Sequence, residues 1–272
     1  MPEDPTEPTE NISGGDSGGG VAATFDPAAA GTRAEAIIDS LGERYWQKAY
    51  GGQDAFECLV RTILSQNTSD TVSQPAHDAL MEKYGSQEED LPTTLMAVPQ
   101  DELAETIASA GLYNQKSRMI IDAAKEIIDS FGSEAAFDTY VREDDSSVVR
   151  DRLLEIHGVG PKTADCVLLF AGGRGGVFPV DTHVHRIARR MGIAEPAADH
   201  EQVREAIEAA VPPEKCGFGH TAMIQFGREY CSARKPACLD GPEACPLYAL
   251  CDRVGIDEVT ETVADPSGRV QK

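Results

Sequence analysis

Apolar residues recur at helical spacing along most of this chain, and this periodicity constrains the fold more than any other feature of the sequence. The segment after Asp54 is an example, since one face of a helix there would collect Phe56, Leu59, Val60 and Ile63. Further segments of this kind end at Gly or Pro, as helices commonly do. No segment shows the alternation of apolar and polar residues that is typical of a half-buried strand. The sequence therefore predicts an all-α fold with short connections.

The chain is strongly acidic. Its 272 residues include 46 Asp and Glu against 24 Lys and Arg, which gives a formal net charge of −22, and only 8 of the bases are Lys. This composition is typical of proteins that work in molar salt, where charges are screened over roughly 3 Å and hydrated carboxylates keep the chain in solution. We therefore expect a halophilic protein, whose net charge does not exclude a nucleic-acid partner. Two segments are basic against this background: residues 151–190, with six bases and four acids, and residues 225–236, with three bases and one acid.

Both ends of the chain are predicted to lie outside the folded part. Residues 1–31 are rich in Pro, Glu, Thr, Gly and Ser and hold six acids and no base, a composition that predicts a disordered acidic tail. The helical pattern fades after Cys251, so residues 256–272 are predicted to form a mobile tail. No apolar run is long enough to cross a bilayer, and the N-terminus lacks a basic stretch followed by an apolar one. The sequence therefore predicts a cytoplasmic protein without a membrane segment.

The segment Gly158-Val159-Gly160 lies between two apolar helical stretches and has the composition of a turn that can approach a ligand closely. Glycine permits a positive φ and has no Cβ, and the proline that follows suits the first position of a helix. The amide groups of such a turn can bind one phosphate of a nucleic-acid backbone. Gly-x-Gly is also a common helix C-cap, but the flanking helices favour a helix-hairpin-helix motif that places Gly158, Val159, Gly160 and Thr163 at the DNA.

Lys162 occupies the second position of the helix after this turn, where the helix dipole disfavours a cation. A cation in that position has a lowered pKa, and a neutral amine can attack a carbon and form a Schiff base. A lysine there can equally contact a phosphate, and the local sequence leaves both roles open.

Asp181 follows 19 residues after Lys162, at the start of the next predicted helix. An aspartate in this position is expected to cap the helix with its side chain. The same carboxylate can stabilise positive charge at a sugar carbon or accept a proton, so capping and catalysis both stay open. His183 and His185 diverge at i and i+2 of a helix, so no metal pair is expected there.

Four of the seven cysteines lie within 21 residues, at Cys231, Cys238, Cys245 and Cys251. Disulfides are not expected in the cytosol. The spacing C-x6-C-x6-C-x5-C lacks the close C-x2–4-C pair that is usual for structural zinc. Loops of five and six residues can surround a larger body, and four thiolates around an iron–sulfur cube fit that description. The spacing favours a cluster, with zinc and unligated thiols as alternatives.

Together these motifs resemble endonuclease III, a DNA glycosylase family of the helix-hairpin-helix superfamily. The resemblance runs from about Phe56 to Cys251. Five motifs carry it, in chain order. They are an early helix and turn (Ile63-Leu64-Ser65-Gln66-Asn67-Thr68), a central motif (Gly111-Leu112-Tyr113-Asn114-x-Lys116), the hairpin (His157 to Ala164), the segment around the aspartate (Val180 to His183) and the four cysteines.

This resemblance implies a fold of two helical domains and a monomer. Residues 52–174 would form a six-helix barrel that ends in the helix-hairpin-helix. Residues 32–51 and 175–255 would form a second domain, in which the four cysteines hold a [4Fe-4S] cluster.

The resemblance also implies an activity on damaged double-stranded DNA. Lys162 corresponds to the Schiff-base lysine of the family and Asp181 to its catalytic aspartate. The damaged base, expected to be an oxidised pyrimidine, would be flipped out of the duplex and released, and the Schiff base would then permit β-elimination at the abasic site. Gln66 or Asn67 would fill the space that the flipped base leaves.

The sequence departs from the family pattern at the cluster, where six residues instead of two separate Cys238 from Cys245. A surface loop lengthens at low cost, so the cluster is still expected.

A monofunctional mismatch glycosylase, specific for adenine or for thymine and uracil, is the nearest alternative function. Its adenine-specific branch carries a catalytic Glu where this chain has Thr62, and it lacks the lysine found here as Lys162. A non-enzymatic DNA-binding iron–sulfur module is the alternative from another class.

Overall fold

The computed structural model describes residues 23–45, 52–68, 70–85 and 89–268. These residues contain twelve α-helices: α1 (Arg33–Gly42), α2 (Ala55–Ser65), α3 (Asp70–Tyr84), α4 (Leu91–Ala97), α5 (Gln100–Thr106), α6 (Tyr113–Phe131), α7 (Glu134–Glu143), α8 (Ser146–Leu154), α9 (Pro161–Phe170), α10 (Thr182–Met191), α11 (His200–Ala210) and α12 (Pro213–Glu229). Short 3-10 helices span Ala108–Ala110, Ala237–Asp240, Pro242–Ala244 and Tyr248–Leu250, and the strands are β1 (Ile256–Asp257) and β2 (Thr262–Val263). The prediction of an all-α fold is confirmed, with this strand pair as the exception.

The described residues divide into two compact units. The hairpin unit comprises residues 52–68, 70–85 and 89–174 and holds α2 to α9. The cysteine unit comprises residues 23–45 and 175–268 and holds α1, α10 to α12 and the strand pair. No helix in these residues is long and apolar enough to cross a membrane.

Helix α2 lies at the centre of the hairpin unit and packs against α3, α6, α7 and α9. Its start is fixed by Asp54, whose side chain accepts from the amides of Phe56 and Glu57 at 2.9 Å each. The apolar face predicted from the sequence is fully buried, and each large side chain on it stabilises the fold by about 2 kcal/mol. The same helix delivers Gln66 at its C-terminal end.

In the cysteine unit, α12 packs against α1 and α10. The buried ammonium of Lys215 on α12 bonds to two carboxylates of α1, Glu35 and Asp39, at 2.7 Å each. Gly219 permits close packing of α12, because a Cβ there would lie 2.7 Å from the ring of Phe178. These contacts join α12 to α1 and bring α12 close to Phe178, which precedes α10.

The N-terminal segment differs in part from the predicted disordered tail. The ring of Phe25 lies 4.4 Å from that of Phe218, and the amide of Asp26 donates to Asp39 at 3.2 Å. Residues 23–31 therefore pack on the cysteine unit. A single aromatic residue in a segment rich in Ala, Gly and Pro gives no periodic signal, so the sequence did not reveal this contact. Residues 1–22 lie outside the described part of the chain.

The C-terminal segment also differs from the predicted mobile tail, because residues 256–268 are folded. Strands β1 and β2 pair antiparallel, with Ile256 opposite Val263. The carboxylate of Asp265 then binds the buried guanidinium of Arg189 at 2.9 Å. Strands of two residues are too short to show alternation, and the ion pair joins distant parts of the chain, so neither feature is visible in the sequence pattern. Residues 269–272 are outside the described residues.

Replacing Asp265 by Ala should lower the free energy of unfolding by about 3 kcal/mol, because it leaves the buried Arg189 without that carboxylate. Denaturant titration measures the loss. Glu258→Ala is the matched control, since the Arg253–Glu258 pair is more exposed and is expected to contribute less than about 1 kcal/mol. Equal, small effects of both changes would contradict the docking of this segment.

Candidate active site

The turn between α8 and α9 needs glycine at its first position. Gly158 has φ +85°, and a Cβ on it would lie 2.2 Å from the terminal methyl carbon of Met119 on α6. Both the backbone conformation and the close approach therefore exclude a larger residue. Gly160 is different: it is extended, precedes Pro161 as the N-cap of α9, and has nothing within 4 Å of the position of a Cβ. The turn packs on α6 at Gly158 and is open at Gly160.

Two of the predicted DNA-contacting residues of the hairpin are instead buried. Val159 has its side chain in the core and its amide donates to the carbonyl of Ile156 at 3.0 Å. Thr163 is also buried, and its hydroxyl accepts from Gln66 at 3.2 Å. Both side chains therefore support the hairpin from inside, and a contact of these residues with DNA stays a prediction. The burial of Thr163 is not visible in the local sequence, because it depends on Gln66 at the end of α2.

Lys162 lies in the first turn of α9, directly after this open side of the hairpin, and its side chain is half-buried. Among the described residues its ammonium makes no hydrogen bond and no ion pair. The amine is therefore available to a ligand, and the positive end of the α9 dipole lies beside it.

The loop after α2 separates two residues that the sequence left as alternatives. We call residues 66–68 the Asn67 loop. The side-chain amide of Gln66 donates to the carbonyl of Gly158 at 3.0 Å and to Thr163, so it is bound to the hairpin. Asn67 is exposed and has a left-handed backbone with φ +53°. Of the two, Asn67 is the side chain that can reach a ligand.

A second exposed loop was not predicted as a functional site. We call residues 111–112, which directly precede α6, the Leu112 loop. Both residues have a positive φ, which is +63° at Gly111 and +47° at Leu112. Leu112 is 57% exposed and its neighbour Tyr113 is 41% exposed. A bulky apolar residue that is both strained and exposed indicates a contact surface. In the sequence, Leu112 stands out only as part of a motif that resembles the family, and its exposure and backbone conformation are what indicate a contact.

Asp181 caps α10 as the sequence predicts. One carboxylate oxygen accepts from the amides of His183 and Val184 at 2.8 Å each, and the other lies 3.0 Å from Nδ1 of His183. Burial alone would raise the pKa of Asp181. The bond from His183, the charges of His220 and His183 and the amide of Val184 outweigh burial and hold that pKa well below its usual range. Asp181 is therefore a fixed negative charge and a poor proton acceptor.

The four clustered cysteines, Cys231, Cys238, Cys245 and Cys251, lie within electrostatic reach of one another. Burial, together with the neighbouring thiols, raises the pKa of Cys238 to about 11 and that of Cys251 to about 12. Four thiolates therefore need a compensating positive charge. No group of three or more His, Cys, Asp or Glu side chains in the described residues is close enough to bind one metal ion.

Arg190 on α10 provides an independent test of what the cysteines can hold. It is 3% exposed, and its guanidinium donates to the carbonyls of Ser232 and Ala233 at 2.7 Å each and to Sγ of Cys231 at 3.5 Å. Its Nε is buried without a partner. None of these acceptors in the described residues is a carboxylate, so the buried cation needs another counter-charge. The thiolates of an anionic cluster fit that requirement.

These features define a helix-hairpin-helix protein with an available lysine at the hairpin and a capping carboxylate on a separate helix, and comparison with known families agrees. Residues 60–213 match the HhH-GPD superfamily base excision DNA repair protein family. The chain belongs to this family of base excision DNA repair proteins.

Two curated relatives and one solved structure carry the name endonuclease III. Endonuclease III of Bacillus subtilis is 35% identical over 196 residues, which is 72% of this chain and 80% of that protein. Endonuclease III of Thermotoga maritima is 31% identical over 199 residues, 73% of this chain and 83% of that protein. The solved structure of a trapped covalent intermediate of endonuclease III with DNA superposes with a TM-score of 0.67 at 30% identity, over 82% of this chain and 96% of that one. The resemblance and the prediction of a base-excision-repair enzyme are confirmed.

The two hairpin glycines offer a matched pair of variants. Gly158→Ala should destabilise the protein by about 2 kcal/mol, because the methyl group meets Met119 and the φ of +85° is strained. Gly160→Ala should leave stability unchanged, because its surroundings are open, and should weaken duplex binding if a phosphate approaches that amide. Thermal melting and binding titrations measure the two effects. Equal stability losses would contradict the described packing of the turn.

Proposed function

We propose that this chain is a bifunctional DNA glycosylase and abasic-site lyase, in which Lys162 is the nucleophile. The observation that carries the proposal is the Lys162 amine, which lies in the first turn of α9, directly after the hairpin turn. It has no hydrogen bond or ion pair among the described residues. The family supports a base excision repair glycosylase. The neighbouring structure in which endonuclease III was trapped covalently on DNA supports a covalent step.

We propose that two exposed parts of the hairpin unit bind the duplex, namely the hairpin turn and the pair of loops that carry Asn67 and Leu112. The amides of Gly160 and Lys162 bind a backbone phosphate, because in the described residues they have no hydrogen-bond acceptor and they lie at the positive end of α9. Asn67 and Leu112 enter the base stack and fill the space left by a flipped nucleotide, which is expected to be an oxidised pyrimidine. Gln66 does not enter the DNA, because its amide is held by the hairpin.

The chemistry then follows from the amine. Neutral Nζ of Lys162 attacks C1′ of the deoxyribose, the N-glycosidic bond breaks, and the base leaves with the bonding electrons and takes up a proton. Opening of the sugar ring gives an iminium, the Schiff base. Loss of a proton from C2′ expels the 3′ phosphate, and water finally releases the lysine.

Asp181 is proposed to stabilise the positive charge that develops on the sugar as the base departs. Three hydrogen bonds already hold its carboxylate in the ionised form, and its low pKa makes it a weak base. Of the two roles that the sequence left open, charge stabilisation is therefore favoured over proton transfer.

Thr62 supports the bifunctional assignment over an adenine-specific one, because its buried hydroxyl donates to the carbonyl of Cys58 at 2.8 Å and supplies no acid.

Cys231, Cys238, Cys245 and Cys251 are proposed to hold a [4Fe-4S] cluster, with Arg190 as a buried counter-charge. Iron–thiolate bonds would supply folding energy to a segment that otherwise consists of short 3-10 helices and turns. The proposed role of the cluster is structural.

Borohydride trapping tests the nucleophile. Lys162→Gln should abolish both the covalent adduct with an abasic duplex and strand cleavage, while binding persists, because an amide cannot form an imine. The Asp181→Asn variant should still bind the duplex. It should release the base about a hundredfold more slowly, since it lacks the charge that stabilises the transition state. Lys125→Gln, an exposed lysine of the same unit, is the control and should behave as wild type. Trapping by Lys162→Gln at the wild-type rate would disprove the mechanism.

Metal analysis tests the cofactor. Protein made under anaerobic, iron-replete conditions should contain iron and inorganic sulfide in equal amounts and little zinc. Cys238→Ser should lose iron and solubility together, because the metal stabilises the fold. Cys216→Ser, at a buried cysteine outside the quartet, should keep the iron. Stoichiometric zinc in the wild-type protein would overturn the assignment.

A further inference from the structure

One buried cation in the hairpin unit has no part in the chemistry proposed above. Lys116 lies on the first turn of α6 and is 2% exposed. Its ammonium donates to the carbonyl of Leu64 at 2.7 Å, to the hydroxyl of Thr68 at 2.7 Å and to the carbonyl of Ala110 at 2.9 Å. Its three donors are thus matched by three acceptors, and none of these partners in the described residues is a carboxylate.

The electrostatics explain how a lone cation is tolerated there. Burial lowers the pKa of Lys116 to about 8. The carbonyl of Leu64 belongs to the last turn of α2 and that of Ala110 to the end of a 3-10 helix, where the negative ends of helix dipoles favour a cation. Because a buried ammonium is costly unless all its donors are bonded, the three acceptors are held at fixed positions around it.

These acceptors belong to the two exposed loops. Thr68 ends the Asn67 loop, and Leu64 lies in the helix turn that leads into it. Ala110 directly precedes the Leu112 loop, and Lys116 itself lies in the helix that follows. The hydroxyl of Thr68 also donates to the carbonyl of Ala110 at 2.7 Å. Asn67 and Leu112 both have positive φ, a conformation that persists only where surrounding contacts enforce it.

We propose that Lys116 is a positioning residue that fixes the Asn67 and Leu112 loops relative to each other, so that both side chains enter a base-paired duplex together. The inference rests on the proposed function, because it gives these loops the role of opening the DNA. Lys116 does not touch the reacting atoms. Its loss therefore impairs the opening of paired DNA and leaves the Lys162 chemistry intact.

The test compares two substrates that differ only in how far they are already opened. One is an abasic site in a fully paired duplex, and the other is the same site inside a short bubble of mismatches. For Lys116→Met, kcat/KM should fall by about tenfold or more on the paired duplex, as expected for the loss of hydrogen bonds to a charged group. On the bubble it should stay within about threefold of wild type.

Two further variants control for simple loss of stability. Thr68→Val removes one acceptor with little change of shape, and it should show a smaller loss with the same preference for the bubble. Lys215→Met removes another buried lysine, which lies in the cysteine unit and bonds to neither loop, and should affect both substrates equally. Urea titrations of all variants establish that each is folded under assay conditions.

The outcomes separate this inference from the proposed function. If the wild-type protein neither cleaves nor traps on either substrate, the proposed function fails. If the wild-type protein cleaves both but Lys116→Met and Thr68→Val lose activity equally on both, or on neither, the positioning role is wrong. A variant of Lys116 that does not fold leaves the decision to Thr68→Val.

Discussion

The close packing of Gly158 on Met119 is the contact on which the rest of the hairpin depends. It brings the turn onto α6 at a distance that a single methyl group would prevent, and so gives the turn one buried side and one open side. The carbonyl of Gly158 then accepts from Gln66, which ties the end of α2 to the same turn. Gly160 and Lys162 follow on the open side of this turn, where we propose that backbone amides and the Lys162 amine meet a phosphate and a sugar.

The buried cations of this acidic chain differ in the partners that the structure gives them. Lys215 follows the ordinary pattern, since two carboxylates compensate its charge and join two helices. Lys116 and Arg190 do not, because the partners that the structure gives them are carbonyls, a hydroxyl and a thiol. The sequence is rich in acids, so it is informative that the described residues give these two cations no carboxylate partner. One cation lies beneath the loops proposed to enter DNA, and the other lies against the proposed cluster.

Asp181 caps α10, and the chemical role that we propose for it uses the same carboxylate. The hydrogen bonds that cap α10 are the same bonds that keep the side chain ionised and oriented. A group held in this way can stabilise a neighbouring positive charge without rearrangement, which is the condition for electrostatic catalysis. The capping and catalytic interpretations of the sequence are therefore compatible, and the lowered pKa of Asp181 supports the proposed stabilisation of charge over proton transfer.

The sequence by itself determined the helical class, the hairpin, Lys162, Asp181 as a cap and the cysteine quartet, because periodicity, caps and short motifs are written in neighbouring residues. Tertiary structure decided the remainder. It buried Val159 and Thr163, bound Gln66 to the hairpin, exposed Leu112 in a strained conformation, and surrounded Lys116 with acceptors from two other segments. It also docked Phe25 and Asp265, which the sequence assigned to tails. Each of these outcomes depends on contacts between segments far apart in the chain, and no local pattern records which distant residue will be the partner.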